Sequence, residues 1–457
     1  MKTFKILSKT KIFQLFLIFS FLICWLSVST SFEDLSFLKK NFFIFSIENI
    51  LEIVNFFRFS LVYFCFLFLL LIFINLNYKK KINFKESLIF YTLTSYFIFQ
   101  LPGLFLTENY IYNIHFIISA ITFILTIILI NHFFNETEKK IFILISFLIL
   151  LIVFMIAIVP KIIDLSEGLR MYGGYDQKSK IFAGKSSPRS SGLARTSLIL
   201  FLFLGLFYFQ YLKKNSIFVI LRIFFISTIF LLQSRVIFAL SLICLVFIFV
   251  YENKFLVKNL IKFISLYLII PLGIFLMIIN FSEYTVAKKA FLLDLQLNDH
   301  INPINKGLVK PDEFSEEDKV PQLRLFKSVD FTSGRISDWL EIKSKFEKNN
   351  ILLGYGSQGD RFLINQTASN GLIYSFSSAG IIGLFFFITF TLIILNNSIK
   401  SLIFNFKKKP NYDYLLDMSI IVILIRSLVE SSYAVFGLDF LILTTLILFK
   451  KSYYKKN

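Results

Sequence analysis

The sequence predicts an all-α polytopic membrane protein, and three observations support this. Of its 457 residues, 56% are apolar and only 17% are charged, whereas soluble domains carry about 25% charged residues. Apolar runs of about 20 residues, enough to span a bilayer as a helix, recur between clusters of lysine. The net charge is +19, and basic residues accumulate at the cytoplasmic ends of membrane helices. These features exclude a soluble globular enzyme, a disordered chain and a disulfide-built secreted module.

The apolar runs form two membrane regions separated by one large loop. Nine runs fall in residues 1–281 and three in residues 370–457, which end in a cytoplasmic tail, with the loop at residues 282–369. We predict about twelve transmembrane helices near residues 11–29, 58–76, 86–105, 111–131, 141–160, 196–212, 216–232, 236–251, 261–281, 370–396, 414–430 and 434–450. All three cysteines lie inside these runs, so we expect small core residues and no disulfide framework.

The lysine clusters predict the orientation of the chain. With a cytoplasmic N-terminus, all 23 basic residues of the inner loops are lysines, whereas the tight outer connections near 106–110, 233–235 and 431–433 hold only Arg235. This one-sided distribution predicts that both termini are cytoplasmic. The first run has a long apolar core, so we expect a retained helix rather than a cleaved signal peptide.

Two long outer loops break the regular pattern, one at about 161–195 and the large one at 282–369. Within the large loop, prolines and acidic residues of 294–321 indicate an irregular, solvated segment. An amphipathic helix is predicted from Ser333 onwards. Its predicted apolar face consists of Ile336, Trp339, Ile342 and Phe346 at helical spacing.

The arginines are distributed differently from the lysines. None of the ten lies in an inner loop; eight lie in outer loops or at outer helix ends, and Arg222 and Arg426 lie within predicted spans. Lysine and arginine serve equally well to set the orientation of a membrane helix. Only the planar guanidinium of arginine, however, can bind phosphate through two parallel hydrogen bonds. The group therefore favours an outer anion site, while ordinary ion pairs in structured loops are the alternative for any one arginine.

Charged side chains within predicted spans are costly and usually face a cavity or a partner. Arg426 and Glu430 are four residues apart, so a continuous helix would let them pair on one face. Arg222 lies near the inner end of its predicted helix, where we expect its long side chain to snorkel to the interface.

Several short motifs resemble the O-antigen ligase/polymerase superfamily. They are Ser333-Gly334-Arg335, Trp339, the segment 354–361 (Gly-Tyr-Gly-Ser-Gln-Gly-Asp-Arg), Ala368-Ser369-Asn370 and Gly380-Ile381-Ile382-Gly383, with Gly192, Arg195, Ser234-Arg235, Arg426, Glu430 and Ser431 in support. The resemblance covers about residues 185–445. It implies a membrane enzyme that transfers glycans from an undecaprenyl-diphosphate carrier, with its active site facing the periplasm of a bacterial inner membrane.

Within that superfamily, one departure favours an O-antigen polymerase (Wzy-type). Ligases that attach O-antigen to lipid A-core have His-Asn, nine residues, then Gly-x-x-Gly. Here the spacing from Asn370 to Gly380 and Gly383 is kept, but Ser369 stands in place of the histidine. A ligase acting on lipid A-core or protein remains one alternative. A twelve-helix transporter or lipid-linked oligosaccharide flippase is another, although the chain has no half-repeat.

The resemblance implies roles for particular residues. Arginines would bind the diphosphate as it departs, a carboxylate would act as general base, and polar or aromatic residues would bind the substrate. The candidates for diphosphate binding are Arg189, Arg195, Arg235, Arg335, Arg361 and Arg426. Those for catalysis are Asp338, Glu341, Asp360 and Glu430, with a slight preference for Asp360 and Glu430, and those for substrate binding are Trp339, Ser369 and Asn370.

The residues also set expectations about ligands and partners. We expect no metal and no cofactor, because the histidines are scattered and no acidic cluster has ligand spacing, although Glu33-Asp34 offers an isolated acidic pair. The expected partners are undecaprenyl-diphosphate-linked oligosaccharide, membrane lipid and a chain-length regulator, but not nucleic acid.

The glycine cluster at 354–359 predicts a sharp loop re-entering the membrane surface, and Gly380 with Gly383 predicts close helix packing.

Overall fold

The computed structural model describes residues 11–28, 47–78, 84–107, 110–166, 190–211, 216–253, 257–280, 335–406 and 412–453, and these contain helices and no strand. The helices are α1 (Lys11–Leu26), α2 (Ile47–Tyr78), α3 (Phe84–Ile98), α4 (Tyr110–Phe133), α5 (Glu136–Ser166), α6 (Ser190–Tyr211), α7 (Ser216–Leu232), α8 (Arg235–Asn253), α9 (Val257–Ile264), α10 (Arg335–Lys345), α11 (Gly359–Ile364), α12 (Gly371–Phe406), α13 (Tyr412–Arg426) and α14 (Leu438–Tyr453). A π-helical turn at Ser265–Ile269 continues α9.

The all-helical prediction is confirmed for the described residues, and each predicted run overlaps a helix. Among the described residues, five stretches are long and apolar enough to cross a membrane: Leu88–Leu106, Asn113–Phe133, Glu136–Val159, Asn259–Asn280 and Gly371–Asn405. Helices suit such sequences because a bilayer offers no partner for backbone polar groups, and a helix bonds its own.

The chain packs as two compact units that interleave along the sequence. The first comprises Met1–Ser146, Thr332–Ile403 and Ser419–Asn457, and the second comprises Phe147–Phe331 and Phe404–Met418. The part of the predicted large loop that the structure describes, residues 335–369, belongs to the first unit. Residues 282–334, with the predicted irregular segment, lie outside the described residues.

Aromatic rings fill the core of the first unit around α4, which packs against α1, α2, α3 and α14. The ring of Phe123 on α4 lies 5.3 Å from that of Phe21 and 6.2 Å from that of Phe440. Phe97 on α3 contacts Phe440 edge-on at 5.3 Å. These contacts place phenylalanines of α1, α3, α4 and α14 between the helices, where ring edges and faces pair favourably.

Helix α12 is broken at Gly380, where φ is 62° and ψ is −163°. A preceding segment that we call the strap, residues 350–358, bonds the backbone groups on both sides of the break. The N–H of Tyr355 donates to the carbonyl of Ser377 at 2.8 Å, and a strap carbonyl accepts the N–H of Ile381 at 2.9 Å. The break therefore leaves these buried backbone groups hydrogen-bonded, as a membrane-type helix requires.

Glycine makes this close approach possible. A Cβ atom on Gly380 would lie 2.3 Å from the backbone of Leu352, and one on Gly354, whose φ is 67°, would lie 2.6 Å from the nitrogen of Gly380. Gly380 thus permits the approach of the strap, whereas the sequence suggested close packing of helices. The glycine-rich sharp loop predicted at 354–359 overlaps the second half of this strap, and the N–H groups of Tyr355 and Gly356 bind the carbonyls of Ser377 and Ser378 beside the break.

The second unit contains α6, α7, α8 and α9, and its buried arginine corrects one prediction. The guanidinium of Arg222 is buried and lies 4.7 Å from the ring centre of Phe201 and 5.1 Å from that of Tyr267. It also donates to the Tyr267 hydroxyl at 3.3 Å. The snorkelling prediction is wrong, because the cation is stabilised by aromatic faces inside the unit.

Candidate functional site

The amphipathic helix α10 belongs to the first unit and carries Arg335 at its first position. Ile342 is buried, and Phe346, just past the helix, stacks on Phe376 at 4.7 Å. Ile336, assigned by the sequence to the same face, is exposed. The reason is angular: at 100° per residue, Ile336 lies at the edge of the stripe formed by Trp339, Ile342 and Phe346.

Hydrogen bonds tie α10 to the loop at residues 365–370. The indole Nε1 of Trp339 donates to the carbonyl of Ala368 at 2.6 Å, and the amide of Gln366 donates to Oδ1 of Asp338 at 2.6 Å. These bonds fix the helix that presents Arg335.

Asp360 holds the same loop from the other side. Its Oδ2 accepts the N–H of Ala368 at 2.7 Å, and its Oδ1 accepts the N–H of Arg361 at 2.9 Å. The residue is only 1% exposed, and this desolvation raises the pKa of Asp360 to about 6 although both backbone bonds oppose the shift. With both oxygens engaged, the contacts of Asp360 favour a role in holding the loop.

Asn370 joins the start of α12 to the turn that follows α13. Its Oδ1 accepts the N–H groups of Leu372 and Ile373 at 2.8 and 3.1 Å, which caps the helix. Its Nδ2 donates to the carbonyl of Leu428 at 2.9 Å. The N–H of Gly371 adds a bond to the carbonyl of Ser427 at 2.6 Å. This turn is thereby held beside the 365–370 loop.

Strained backbone is concentrated in these segments. Four of the five non-glycine residues with positive φ among the described residues belong to the first unit: Gln358 (60°), Asn365 (57°), Ser369 (48°) and Ser432 (42°). Such conformations cost about 1–3 kcal/mol each and persist where the surrounding structure imposes them, often at functional sites. Ser369, which stands in place of the ligase histidine, is one of them.

Two arginine–carboxylate pairs meet at this end of the first unit. Nη2 of Arg335 lies 3.6 Å from Oε1 of Glu430, and the two side chains are 24% and 22% exposed. Arg426 pairs instead with Asp439, where the exposed fractions are 7% and 2%, and Ser432 donates to the same Asp439 oxygen at 2.7 Å. One pair is accessible, whereas the other is buried.

The pairing of Arg426 with Glu430 that the spacing predicted is wrong. Helix α13 ends at Arg426, so Glu430 lies in the turn beyond it and reaches Arg335 instead. Asp439 was missed by sequence reasoning. The available signal was its position as the single acidic residue at the start of the last apolar run, because such a residue usually has a buried partner.

The remaining candidates of the first unit make local contacts. Glu341 accepts a bond from Lys345 at 2.6 Å in an exposed pair of the i, i+4 type. Arg361 is partly exposed on α11, beside Asp360. Ser369 lies 3.4 Å from the Thr367 hydroxyl. None of these contacts assigns a chemical role.

Two other candidate arginines lie in the second unit. Nη2 of Arg195 on α6 donates to Thr196 at 3.4 Å, and Arg235 begins α8. Ser197 near the start of α6 donates to the carbonyl of Phe225 in the second half of α7, and only residues 212–215 separate the two helices in the sequence, so α6 and α7 pack antiparallel. Since α8 begins where α7 ends, Arg195 and Arg235 lie towards the same end of this unit. Arg189 lies outside the described residues.

In the described part of the chain, no three or more histidines, cysteines or acidic residues lie close enough together to hold a metal ion. Comparisons with protein-family models, curated proteins and solved structures found no match to the chain. A function for this chain must therefore be inferred from the geometry of the site and from the short motifs.

Proposed function

We propose that the chain is a membrane glycosyltransferase that polymerises undecaprenyl-diphosphate-linked oligosaccharide repeat units into O-antigen or a related surface polysaccharide. It would act without a metal at the periplasmic face of a bacterial inner membrane, with twelve spans and both termini in the cytoplasm. The all-lysine inner loops support this orientation. A regulator of chain length is a proposed partner.

The observation that carries the proposal is the position of Arg335. Its guanidinium is partly exposed at the head of an amphipathic helix, and it faces Glu430 across 3.6 Å. Trp339 and Asn370, which belong to the motifs resembling the superfamily, hold the elements that carry these two side chains. A partly exposed cation and carboxylate, each on an element held by hydrogen bonds, are suited to a reaction in which a diphosphate leaves.

In the proposed reaction, a sugar hydroxyl of one lipid-linked unit attacks the anomeric carbon of another chain. The new C–O bond forms as the bond to the diphosphate breaks, and the hydroxyl proton passes to a carboxylate. Arg335 would stabilise the charge that develops on the departing diphosphate. Glu430 is favoured as the base over Asp360, whose oxygens bind two backbone N–H groups.

The test supplies the purified protein, in lipid nanodiscs, with undecaprenyl-diphosphate repeat units and neither metal nor nucleotide. Gel electrophoresis of the released glycan should give a ladder of increasing length. Transfer to added lipid A-core without lengthening would select a ligase. Movement of the lipid-linked unit across a liposome membrane, with no new glycosidic bond, would select a flippase.

A further inference from the structure

The two arginine–carboxylate pairs of the first unit differ in how readily they can open. Arg426 and Asp439 are almost fully buried, so separating them would leave an uncompensated charge inside the protein. Arg335 and Glu430 are partly exposed and 3.6 Å apart, beyond hydrogen-bond distance. Because this pair is more exposed and more loosely held than the buried one, Arg335 can change partner at a smaller cost than Arg426.

Neither backbone of the Arg335–Glu430 pair needs to move for such a change. Arg335 begins α10, which Trp339 ties to Ala368. Glu430 lies two residues after Leu428, whose carbonyl accepts a hydrogen bond from Asn370, so this bond fixes the turn that carries Glu430. The two side chains therefore face each other from separately fixed elements, and a rotation of either side chain opens the pair.

We propose that Glu430, the favoured base, also occupies the Arg335 guanidinium in the resting protein and yields it to a diphosphate group when the lipid-linked substrate binds. This inference rests on the proposed function, which brings a diphosphate to Arg335. A diphosphate offers several oxygens and more negative charge than one carboxylate, and it can accept parallel bonds from the planar guanidinium. Glu430 would keep Arg335 oriented between turnovers and compete with weakly bound anions.

The exchange makes a quantitative prediction about affinity. Replacing the competing carboxylate in Glu430→Gln should lower the Kd for diphosphate about fivefold, because the ligand no longer displaces an ion pair. The measurement is titration calorimetry on the full chain in phosphatidylcholine nanodiscs, with inorganic pyrophosphate as one probe and farnesyl diphosphate as the other. Tightening for both probes would assign the effect to the diphosphate, and tightening for farnesyl diphosphate alone would overturn the exchange.

A double-mutant cycle separates exchange from simple charge repulsion. Arg335→Gln should weaken diphosphate binding at least tenfold, and adding Glu430→Gln to it should change the Kd less than twofold. The matched control is Glu347→Gln, which removes an exposed carboxylate that accepts a bond from Asn350. Its Kd should equal that of the wild type. Thermal midpoints of all variants establish that they are folded.

The outcomes distinguish this inference from the proposed function. An unchanged Kd in Glu430→Gln, equal tightening in the Arg335→Gln background, or no diphosphate binding by the wild type would each overturn the exchange. If the wild type still lengthens glycan, the proposed function stands without it. Conversely, a cycle that behaves as expected in a protein that never lengthens glycan would support the exchange at a diphosphate site and contradict the polymerase.

Discussion

The two arginine–carboxylate pairs described in the first unit show how a charge that stabilises the fold differs from a charge that a ligand can reach. Both pairs consist of an arginine and a carboxylate, and both join the end of α13 or the turn after it to another element. Arg426 is buried with Asp439 and joins α13 to α14, whereas Arg335 is accessible beside Glu430 and can meet a ligand. Burial therefore separates their expected roles: Arg426 braces the fold, and Arg335 is the candidate for substrate binding.

The largest effect is expected for Asp439→Ala. The change leaves the Arg426 guanidinium buried without its carboxylate, so the free energy of unfolding should fall by about 3–5 kcal/mol. Denaturant unfolding in detergent measures it, and Glu430→Ala, which frees a partly exposed arginine, should cost less than about 1 kcal/mol. Equal losses in the two variants would erase the distinction between the pairs.

A second prediction concerns Asp360, whose buried carboxyl has its pKa raised from 3.8 to about 6. Because the folded protein holds this proton more tightly than the unfolded chain, the stabilisation is complete below about pH 4 and is lost as the pH rises through 6. The stability of the wild type relative to Asp360→Asn should thus fall by about 2–3 kcal/mol between pH 4 and pH 7. A flat difference across that range would contradict the burial of this carboxyl.

Arg335→Lys tests the accessible pair. The ammonium keeps the charge but cannot form two parallel bonds, so the initial rate of glycan lengthening should fall about 10- to 100-fold. The thermal midpoint should stay near that of the wild type, since the pair contributes little to stability. Full activity with lysine would exclude bidentate phosphate binding as the role of Arg335.

The smallest effect is expected for Trp339→Phe. The aromatic ring remains, but the indole N–H that donates to Ala368 at 2.6 Å is lost. We expect about 1 kcal/mol of destabilisation, together with a modest rise in the KM for the lipid-linked unit, because α10 presents Arg335 less precisely. A change in stability with no change in KM would separate α10 from the site.

Sequence patterns predicted the helices and the amphipathic segment, because apolar periodicity and bilayer length constrain both strongly. The motifs also predicted Arg335, Trp339 and Asn370 as site residues. In the structure, Trp339 binds Ala368, Asn370 binds Leu428, and Arg335 forms an ion pair with Glu430. The partners could not be predicted in the same way. Glu430 seemed to share a helix with Arg426, but α13 ends four residues earlier, and spacing arguments fail beyond a helix end.

Other features depend on contacts between distant segments. The break at Gly380 requires the strap, which belongs to a separate, earlier segment of the chain, and no local pattern announces that approach. Asp439 is isolated in the sequence, and its role is recognisable only because the fold brings it into an ion pair with Arg426. The position of Arg222 near the start of its helix predicted a side chain at the membrane interface. In the structure, Phe201 and Tyr267, which belong to other helices, enclose it.

The central claim is that Arg335 serves a polymerase that draws on lipid diphosphate. It is tested most directly by glycan ladders from purified wild type, Arg335→Gln and Lys343→Gln given undecaprenyl-diphosphate repeat units alone. Lys343 is an exposed basic residue on the same helix, so its loss controls for charge. We predict ladders from the wild type and from Lys343→Gln and only the starting unit from a folded Arg335→Gln. A full ladder from Arg335→Gln, or no lengthening by the wild type, would contradict the claim.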